Sequence, residues 1–319
     1  MAIFDRALVR LLPAVPKGLV QRLAEPYIAG AAVGDAARVV GELNAAGKTA
    51  TIDVLGEEIT SAKEARAFTD AYEDVLAVIK RRSLDSTISV KLTALGLKLD
   101  RDLCRGNLEE LVRDAAARGN VVTIDMEDSS TTDDTLELYR GLRAAGHDNV
   151  GIVLQATLRR TVSDVRALAD LRPDVRLCKG IYIEPPELAY RDPEAVRASF
   201  MRALEGLLDA GCYVGIATHD EYLIEEGRRL VREHGLTPED YEFQMLLGIR
   251  PELGDELVRE GHSLRVYVPF GQNWYAYSLR RLKENPKMAG YIASDTVGRL
   301  LPTRSDNAGH ALSGRVGRP

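Results

Sequence analysis

Residues 121–155, VVTIDMEDSSTTDDTLELYRGLRAAGHDNVGIVLQ, contain one complete unit of the pattern that decides the fold. A short apolar run at 121–126 is followed by an amphipathic, charged stretch at 132–145 and by a second apolar run at 150–154. Short apolar runs favour buried strands, and charged stretches with apolar residues every three or four positions favour helices. The segment therefore predicts a strand, a helix and a second strand parallel to the first.

The same unit repeats outward in both directions along the chain. The predicted strands lie at 50–54, 87–92, 121–126, 150–154, 175–178, 213–217, 241–246 and 264–268. The predicted helices lie at 62–82, 108–118, 132–145, 161–171, 193–210, 221–234, 251–260 and 274–284. Strict alternation implies parallel strands joined by right-handed crossovers, and eight units favour a closed barrel. We predict an α/β fold, a distorted (βα)8 TIM-like barrel, with a doubly wound open sheet as the alternative.

Several local signals support the predicted helix boundaries. Ser61 precedes the first barrel helix, and Glu64 follows it by three residues, which is a capping-box pattern. Five glycines each follow a predicted helix, where a left-handed backbone conformation often ends the helix. They are Gly119, Gly146, Gly211, Gly235 and Gly261.

The two ends of the chain fall outside the alternation. We expect helices before the barrel in residues 1–46, a catalytic barrel in residues 47–301 and a mobile, polar tail in residues 302–319. The first residues have charges inside their apolar stretch and no signal-peptide pattern. They predict an amphipathic helix packed on the barrel, with weak contact to a membrane surface as the alternative.

Composition excludes several classes of protein. The chain has 319 residues, 45% of them hydrophobic and 28% charged, and every window of eighteen residues contains a charge, which excludes a transmembrane helix. With 42 basic and 48 acidic residues the net charge is −6, which argues against nucleic acid as a partner. Cys104, Cys178 and Cys212 are widely spaced, so we expect reduced, buried thiols, no metal site and a cytoplasmic location.

Polar residues follow or end most of the predicted strands. In a barrel of parallel strands these positions meet at one mouth, where catalytic residues of this fold lie. The residues are Lys91, Asp125, Glu127, Gln155, Arg176, Lys179, Tyr182, His219 and Tyr267. A single polar residue at such a position often only reaches solvent, and Lys91 with Asp125 could form a structural ion pair. Convergence of so many on one face favours a functional site.

The last predicted helix, WYAYSLRRLKE at 274–284, carries an adjacent arginine pair among aromatic residues. Helical spacing puts Tyr277, Arg281 and Glu284 on one face, with Arg280 about 100° away. Over a barrel mouth the two guanidinium groups could grip one carboxylate from two sides. The alternative is a solvated basic stripe, which would not require the aromatic residues.

Four segments together resemble the proline dehydrogenase family. They are VRLCKGIY at 175–182, EFQMLLG at 242–248, RVYVPFG at 265–271 and YSLRRLKEN at 277–285. The resemblance covers roughly residues 45–290. It implies a distorted (βα)8 barrel that binds FAD without a Rossmann motif, and this sequence contains neither a GxG spacing nor a P-loop. The last helix is then expected over the barrel mouth.

The resemblance also implies roles for individual residues. Arg280, Arg281 and Lys91 match the cations around the proline carboxylate, Tyr267 and Tyr277 match tyrosines beside the ring, and Leu246 matches an apolar contact. Asp125 matches the aspartate that orders Lys91, and Glu284 matches a glutamate near the arginines and the flavin. Flavin contacts are expected from Gln155, Arg176, Lys179, Gly180, Tyr182 and His219. Ile183 departs from the family, where many members have tryptophan.

The implied reaction is oxidation of L-proline to Δ1-pyrroline-5-carboxylate by hydride transfer to flavin N5. As a monofunctional form, the protein would pass electrons to a quinone or another membrane acceptor and product to a separate pyrroline-5-carboxylate dehydrogenase. Peripheral contact with the inner face of the membrane would suit that acceptor. A hydroxyproline or related imino-acid dehydrogenase, a Schiff-base aldolase using Lys91 and a non-catalytic regulatory barrel are the alternatives.

Replacing either arginine of the pair tests its predicted role. Arg280→Met or Arg281→Met should raise the KM for proline by roughly two or more orders of magnitude, because each removes a charge-assisted contact to the carboxylate. Steady-state kinetics measure the change. An unchanged KM would place the arginines on the solvated surface instead.

Overall fold

Eight short parallel strands pair in chain order and close into a barrel. The computed structural model describes residues 25–56 and 59–274. The strands are β1 (Thr49–Val54), β2 (Ser86–Val90), β3 (Val122–Ile124), β4 (Val150–Gln155), β5 (Asp174–Cys178), β6 (Tyr213–Ala217), β7 (Tyr241–Leu246) and β8 (Leu264–Phe270). The helices are α1 (Val33–Ala45), α2 (Ala62–Arg82), α3 (Arg101–Ala117), α4 (Thr132–Ala144), α5 (Thr161–Leu168), α6 (Pro193–Asp209), α7 (Glu221–Glu233) and α8 (Pro251–Arg259).

Closure of the sheet occurs between its first and last strands. Thr51 of β1 pairs with Thr87 of β2 on one side and with Tyr267 of β8 on the other. All eight strand pairs are parallel. The predicted barrel is confirmed, and the open-sheet alternative is wrong.

The outward side of each strand supplies the main hydrophobic core. Alternate residues along a strand point to opposite faces, and the outward set consists mainly of valine, isoleucine and leucine. Ile52, Ile88, Ile124 and Ile152 are buried there and belong to one apolar cluster with the buried faces of the helices. The core between barrel and helices therefore holds the strands in place.

The inward side of the strands is polar, which is unusual for this fold. Barrel interiors of this type are commonly filled by branched aliphatic residues. Here inward positions carry charged, hydroxyl or amide groups that bond to one another across the barrel. Toward the amino ends of the strands they leave a cavity of about 160 Å³, whose lining includes Asp174, Tyr213, Glu242 and Arg265.

Helix ends follow the predicted signals. The Ser61 hydroxyl accepts a hydrogen bond from the Glu64 N–H at 3.3 Å, and the Glu64 carboxylate accepts one from the Thr60 N–H at 2.6 Å. The five predicted terminating glycines have φ between 64° and 89°, a region that favours glycine.

The third helix begins earlier than the sequence pattern predicts. It starts at Arg101 rather than at residue 108, because the Asp100 carboxylate caps the N–H groups of Asp102 and Leu103 at 2.8 and 3.0 Å. Asn107 weakens the apolar pattern inside this helix. Its buried side chain donates to the Leu95 carbonyl at 2.9 Å, a tertiary contact that outweighs its low helix propensity.

The remaining predictions concern the cysteines, membrane-spanning helices and the two ends of the chain. Cys104 and Cys212 are buried and Cys178 is partly exposed, all as free thiols. In the part of the chain that is described, no helix is long and apolar enough to cross a membrane. Residues 1–24, 57–58 and 275–319 lie outside the described residues. The predicted amphipathic N-terminal helix, almost all of the last helix and the tail therefore lie there.

Candidate functional site

A buried lysine lies at the centre of the barrel mouth. Lys91 directly follows β2, and its ammonium Nζ lies 2.7 and 2.8 Å from the two carboxylate oxygens of Asp53 on β1. The side chains are 4% and 0% exposed. Longer contacts reach Asp125 Oδ2 at 3.3 Å and the Tyr267 hydroxyl at 3.2 Å. Lys91 thereby joins β1, the carboxyl end of β3 and β8.

The surroundings of Lys91 keep it protonated. Burial by itself lowers the pKa of a lysine, but the carboxylates of Asp53 and Asp125 more than reverse that effect and raise the pKa of Lys91 well above its usual value. Burial raises the pKa of Asp53, and the ammonium opposes that effect. A Schiff-base lysine needs a neutral amine at working pH, so this environment argues against aldolase chemistry.

Asp125 connects Lys91 to a second buried cation, Arg176 of β5. Its Oδ1 accepts hydrogen bonds from Arg176 Nη1 at 2.7 Å and from the Ser89 hydroxyl at 2.7 Å, while Oδ2 accepts from the Tyr267 hydroxyl at 2.8 Å. Burial would raise the pKa of Asp125, but the charges of Lys91 and Arg176 hold it below its usual value. Asp125 is therefore ionised and lies between two cations.

Tyr267 covers this group of charges. Its hydroxyl contacts both Lys91 and Asp125, and its ring centroid lies 5.3 Å from the Arg176 guanidinium carbon. Bonds on both sides of the hydroxyl fix the ring. Lys91, Asp53, Asp125, Arg176 and Tyr267 form what we call the charge cluster.

A second group of predicted residues lies at the ends of β4, β5 and β6. Gln155 donates from Nε2 to the Met126 and Glu127 carbonyls at 2.7 and 3.1 Å. Gly180 has φ 93°, and a Cβ there would lie 2.6 Å from Thr157 Oγ1, so only glycine fits. The chain can thus pass close to Gln155 after β5.

Lys179 and His219 are two further polar residues of this second group. Lys179 binds Asp220, which Arg197 also contacts at 2.9 and 3.0 Å, and these cations hold the pKa of Asp220 at about 2. His219 Nε2 accepts the Leu246 N–H at 3.0 Å, and burial lowers the pKa of His219 to about 4. The neutral imidazole therefore has its proton on Nδ1, which is a hydrogen-bond donor.

The other predicted residues differ in how deeply they are buried. Leu246, the last residue of β7, and Tyr182, in the segment between β5 and α6, are partly buried. Ile183 is 79% exposed. The carboxylate of Glu127 accepts from the Thr93 N–H at 3.0 Å and is buried in that contact. Tyr277, Arg280, Arg281 and Glu284 lie outside the described residues.

Sequence reasoning missed four residues that build or support the charge cluster. Asp53 falls inside a predicted strand, although a charged residue in the apolar run TATIDV was an available signal. Tyr72, on α2, was also missed; its hydroxyl donates to Asp53 Oδ1 at 3.1 Å. A further missed residue is Gln244, whose Oε1 accepts from Arg176 Nε at 2.6 Å. Ser89 was missed too. Nothing in the local sequence marks Tyr72, because its contact depends on helix packing.

A family profile and two curated relatives match this chain over most of its length. The profile of the family described as proline dehydrogenase matches residues 36–294. The chain is 38% identical to proline dehydrogenase 1 of Bacillus subtilis (strain 168) over 269 residues, 84% of this chain and 89% of the relative. It is 37% identical to the proline dehydrogenase of Deinococcus radiodurans over 274 residues, 85% of this chain and 88% of the relative.

A solved structure shares the fold. Proline utilization A (PutA) from Bdellovibrio bacteriovorus, inactivated by N-propargylglycine, superposes with a TM-score of 0.78 at 23% identity. The match covers 91% of this chain but 38% of that longer chain. This likeness supports the barrel architecture alone.

Removing one partner of the buried ion pair tests its structural role. Asp53→Asn should lower the free energy of unfolding by about 3 kcal/mol or more, because it leaves a buried ammonium short of a counter-charge. The double variant Asp53→Asn/Lys91→Met removes both charges and should lose less stability than Asp53→Asn alone. Urea denaturation measures both. Equal or greater loss in the double variant would contradict the pairing.

Proposed function

The chain belongs to the proline dehydrogenase family, and we propose that it oxidises L-proline to Δ1-pyrroline-5-carboxylate, the first step of proline catabolism. The observation that carries the proposal is the charge cluster at the barrel mouth, where two buried cations flank one ionised aspartate. Fixed charges of both signs suit a small zwitterionic substrate, which presents a carboxylate and an amine. The sequence profile covers most of the barrel.

The residues at the ends of β4–β6 suit FAD. The proposed contacts are Gln155, Arg176, Lys179, Gly180, Tyr182 and His219. They combine cationic donors, a neutral Nδ1–H donor and a backbone position without a Cβ. Together these groups can bind the phosphates and the polar ring edge of a dinucleotide. When bound, FAD supplies the hydride acceptor at N5. The cationic side chain of Arg176 would then favour the reduced form of the flavin.

Substrate binding is proposed to use Lys91 together with the arginine pair of the last helix. Within the charge cluster Lys91 and Arg176 are balanced by Asp53 and Asp125, so the additional positive charge for a carboxylate comes from Arg280 and Arg281. The short contacts to Asp53 hold the Lys91 ammonium in place. Its longer contacts, to Asp125 and Tyr267, are the ones that a substrate carboxylate can replace.

The other proposed contacts surround the ring. Tyr267 and Tyr277 flank the pyrrolidine, Leu246 gives an apolar contact, and Glu284 stabilises the arginine region. The amine must be unprotonated when hydride leaves C5, since a protonated nitrogen cannot stabilise the forming imine. Asp125, with its lowered pKa, is a weak base, so we assign that proton to water.

The relatives also guide the proposed partners. PutA of Escherichia coli (strain K12) is named a bifunctional protein, and the chain matches 26% of it. We therefore propose that product passes from this protein to a separate pyrroline-5-carboxylate dehydrogenase. Electrons are proposed to pass to a membrane quinone, with the protein in the cytoplasm and residues 1–46 as the segment that can approach the membrane surface.

An absorption spectrum tests the proposed function most simply. Protein purified with FAD should show a flavin band that bleaches on anaerobic addition of L-proline. A flavin band that responds to 4-hydroxyproline but not to proline would favour the imino-acid alternative. If no flavin binds after reconstitution and borohydride traps a substrate on Lys91, the proposal is wrong and the aldolase hypothesis returns.

Substrate preference gives a further prediction at Tyr267. In this family a tyrosine at this position crowds C4 of the ring, so Tyr267→Ser should raise the kcat/KM ratio of hydroxyproline to proline by roughly tenfold or more. Tyr267→Phe keeps the ring and removes only the hydroxyl, so it should retain the parent's preference. Steady-state kinetics with both substrates measure the ratio. An unchanged ratio in Tyr267→Ser would contradict the crowding.

A further inference from the structure

Below the charge cluster, a second set of hydrogen bonds runs from Arg176 toward the amino ends of the strands. Arg176 Nε donates to Gln244 Oε1 at 2.6 Å, and Gln244 Nε2 donates to Glu242 Oε1 at 2.5 Å. Arg265 Nε donates to the same glutamate oxygen at 2.6 Å. We call Arg176, Gln244, Glu242 and Arg265 the Glu242 network. The proposed reaction gives no direct contact to its last three members.

The amide of Gln244 has one orientation that satisfies both neighbours. A guanidinium has only donors, and an ionised carboxylate has only acceptors. With Arg176 on one side and Glu242 on the other, the amide oxygen must face Arg176 and the amide nitrogen must face Glu242. The reversed amide would put donor against donor and acceptor against acceptor. Glu242 therefore determines which end of Gln244 meets Arg176.

The neighbouring strand is shaped for this arrangement. A Cβ at Gly215 of β6 would lie 2.3 Å from Gln244 Nε2 and 2.8 Å from its Cδ. Gln244 therefore occupies space that any larger residue at position 215 would fill. Gln244, Glu242 and Arg176 are all buried, and they bond to one another.

The far end of the network is anchored to the barrel wall. Arg265 Nη1 donates to the Ala50 carbonyl at 2.7 Å and lies 3.4 Å from the Thr87 hydroxyl. These contacts tie the Arg265–Glu242 pair to β1 and β2. Glu242 thus has a fixed position, and Arg265 balances its charge. A residue that orients its neighbours requires both.

We propose that Glu242 is a positioning residue for the reaction: it fixes the Gln244 amide, which in turn fixes Arg176 against Asp125. This inference rests on the proposed function, because the role of Arg176 beside the flavin is itself part of that proposal. Arg176 is held through Nε by Gln244 and through Nη1 by Asp125 and Ser89. Loss of the first contact frees the guanidinium to turn about the second.

Glu242→Met removes the acceptor that Gln244 and Arg265 share, so the orientation of the Gln244 amide toward Arg176 is no longer fixed. We expect kcat for proline to fall by about tenfold or more, with KM changed by less than about threefold. Glu242→Met/Arg265→Met, which also removes the cation left without its partner, should show the same loss. The reduction potential of bound FAD should become more negative.

Glu242→Gln is the conservative variant that should rescue these losses, because it keeps an acceptor at the same place without the charge. Arg265 Nε and Gln244 Nε2 both donate to Glu242 Oε1, and an amide oxygen in that place can accept both hydrogen bonds. The kcat should lie within about threefold of the parent value, and the flavin potential should lie close to the parent value.

Thermal unfolding of the FAD-free proteins reads the network independently of activity. Glu242→Met should lower the midpoint, and Glu242→Gln should lower it less. An equal loss of kcat in Glu242→Gln and in Glu242→Met/Arg265→Met, including failure of both to fold, would overturn the proposal. So would an unchanged kcat and potential in Glu242→Met/Arg265→Met. If the parent protein fails to bleach with proline, the proposed function fails, while these midpoints still decide whether the network exists.

Discussion

The buried ion pair between Lys91 and Asp53 is the interaction on which the site depends. Removing two charges from water carries a large cost, which is recovered only when the charges are close and their remaining hydrogen bonds are satisfied. Here both carboxylate oxygens lie within 2.8 Å of the ammonium, and Tyr72 donates to the same carboxylate. The pair brings β1 and β2 together at the mouth, and Asp125 extends it to Arg176 and Tyr267 on β5 and β8.

A barrel interior filled with charges needs its stability from elsewhere. The outward faces of the strands provide it, through a continuous apolar core under the helices. Because the outer core stabilises the fold, the inward positions can carry polar side chains that bind a substrate, instead of apolar side chains that only fill space. The charge cluster at the mouth and the Glu242 network below it meet at Arg176, so one residue links the proposed flavin position to the centre of the barrel.

Strand and helix alternation was enough to predict the barrel, and β6 and β7 have the predicted bounds. Polar residues at strand ends identified Lys91 and Asp125, and the motifs of the family resemblance identified Arg176 and Tyr267, which lie within β5 and β8. Asp53, Ser89 and Gln244 also lie within strands. They were missed because only the register across the barrel shows which of these side chains meet. The early start of α3 was missed because Asn107 is held by a tertiary bond that local propensity does not report. The roles of Tyr277, Arg280, Arg281 and Glu284 stay predictions, since they lie outside the described residues.

The protonation state of Lys91 tests the central claim most directly. Nitrogen-15 labelling of lysine, with assignment by comparison with Lys91→Met, allows the Nζ resonance to be followed by NMR from pH 6 to pH 10, a range bounded by the usual lysine pKa of about 10.4. The account predicts an ammonium signal that does not titrate across this range, because Asp53 and Asp125 hold the proton. A neutral amine appearing near pH 7 or 8 would contradict it and would return Lys91 to the role of a nucleophile.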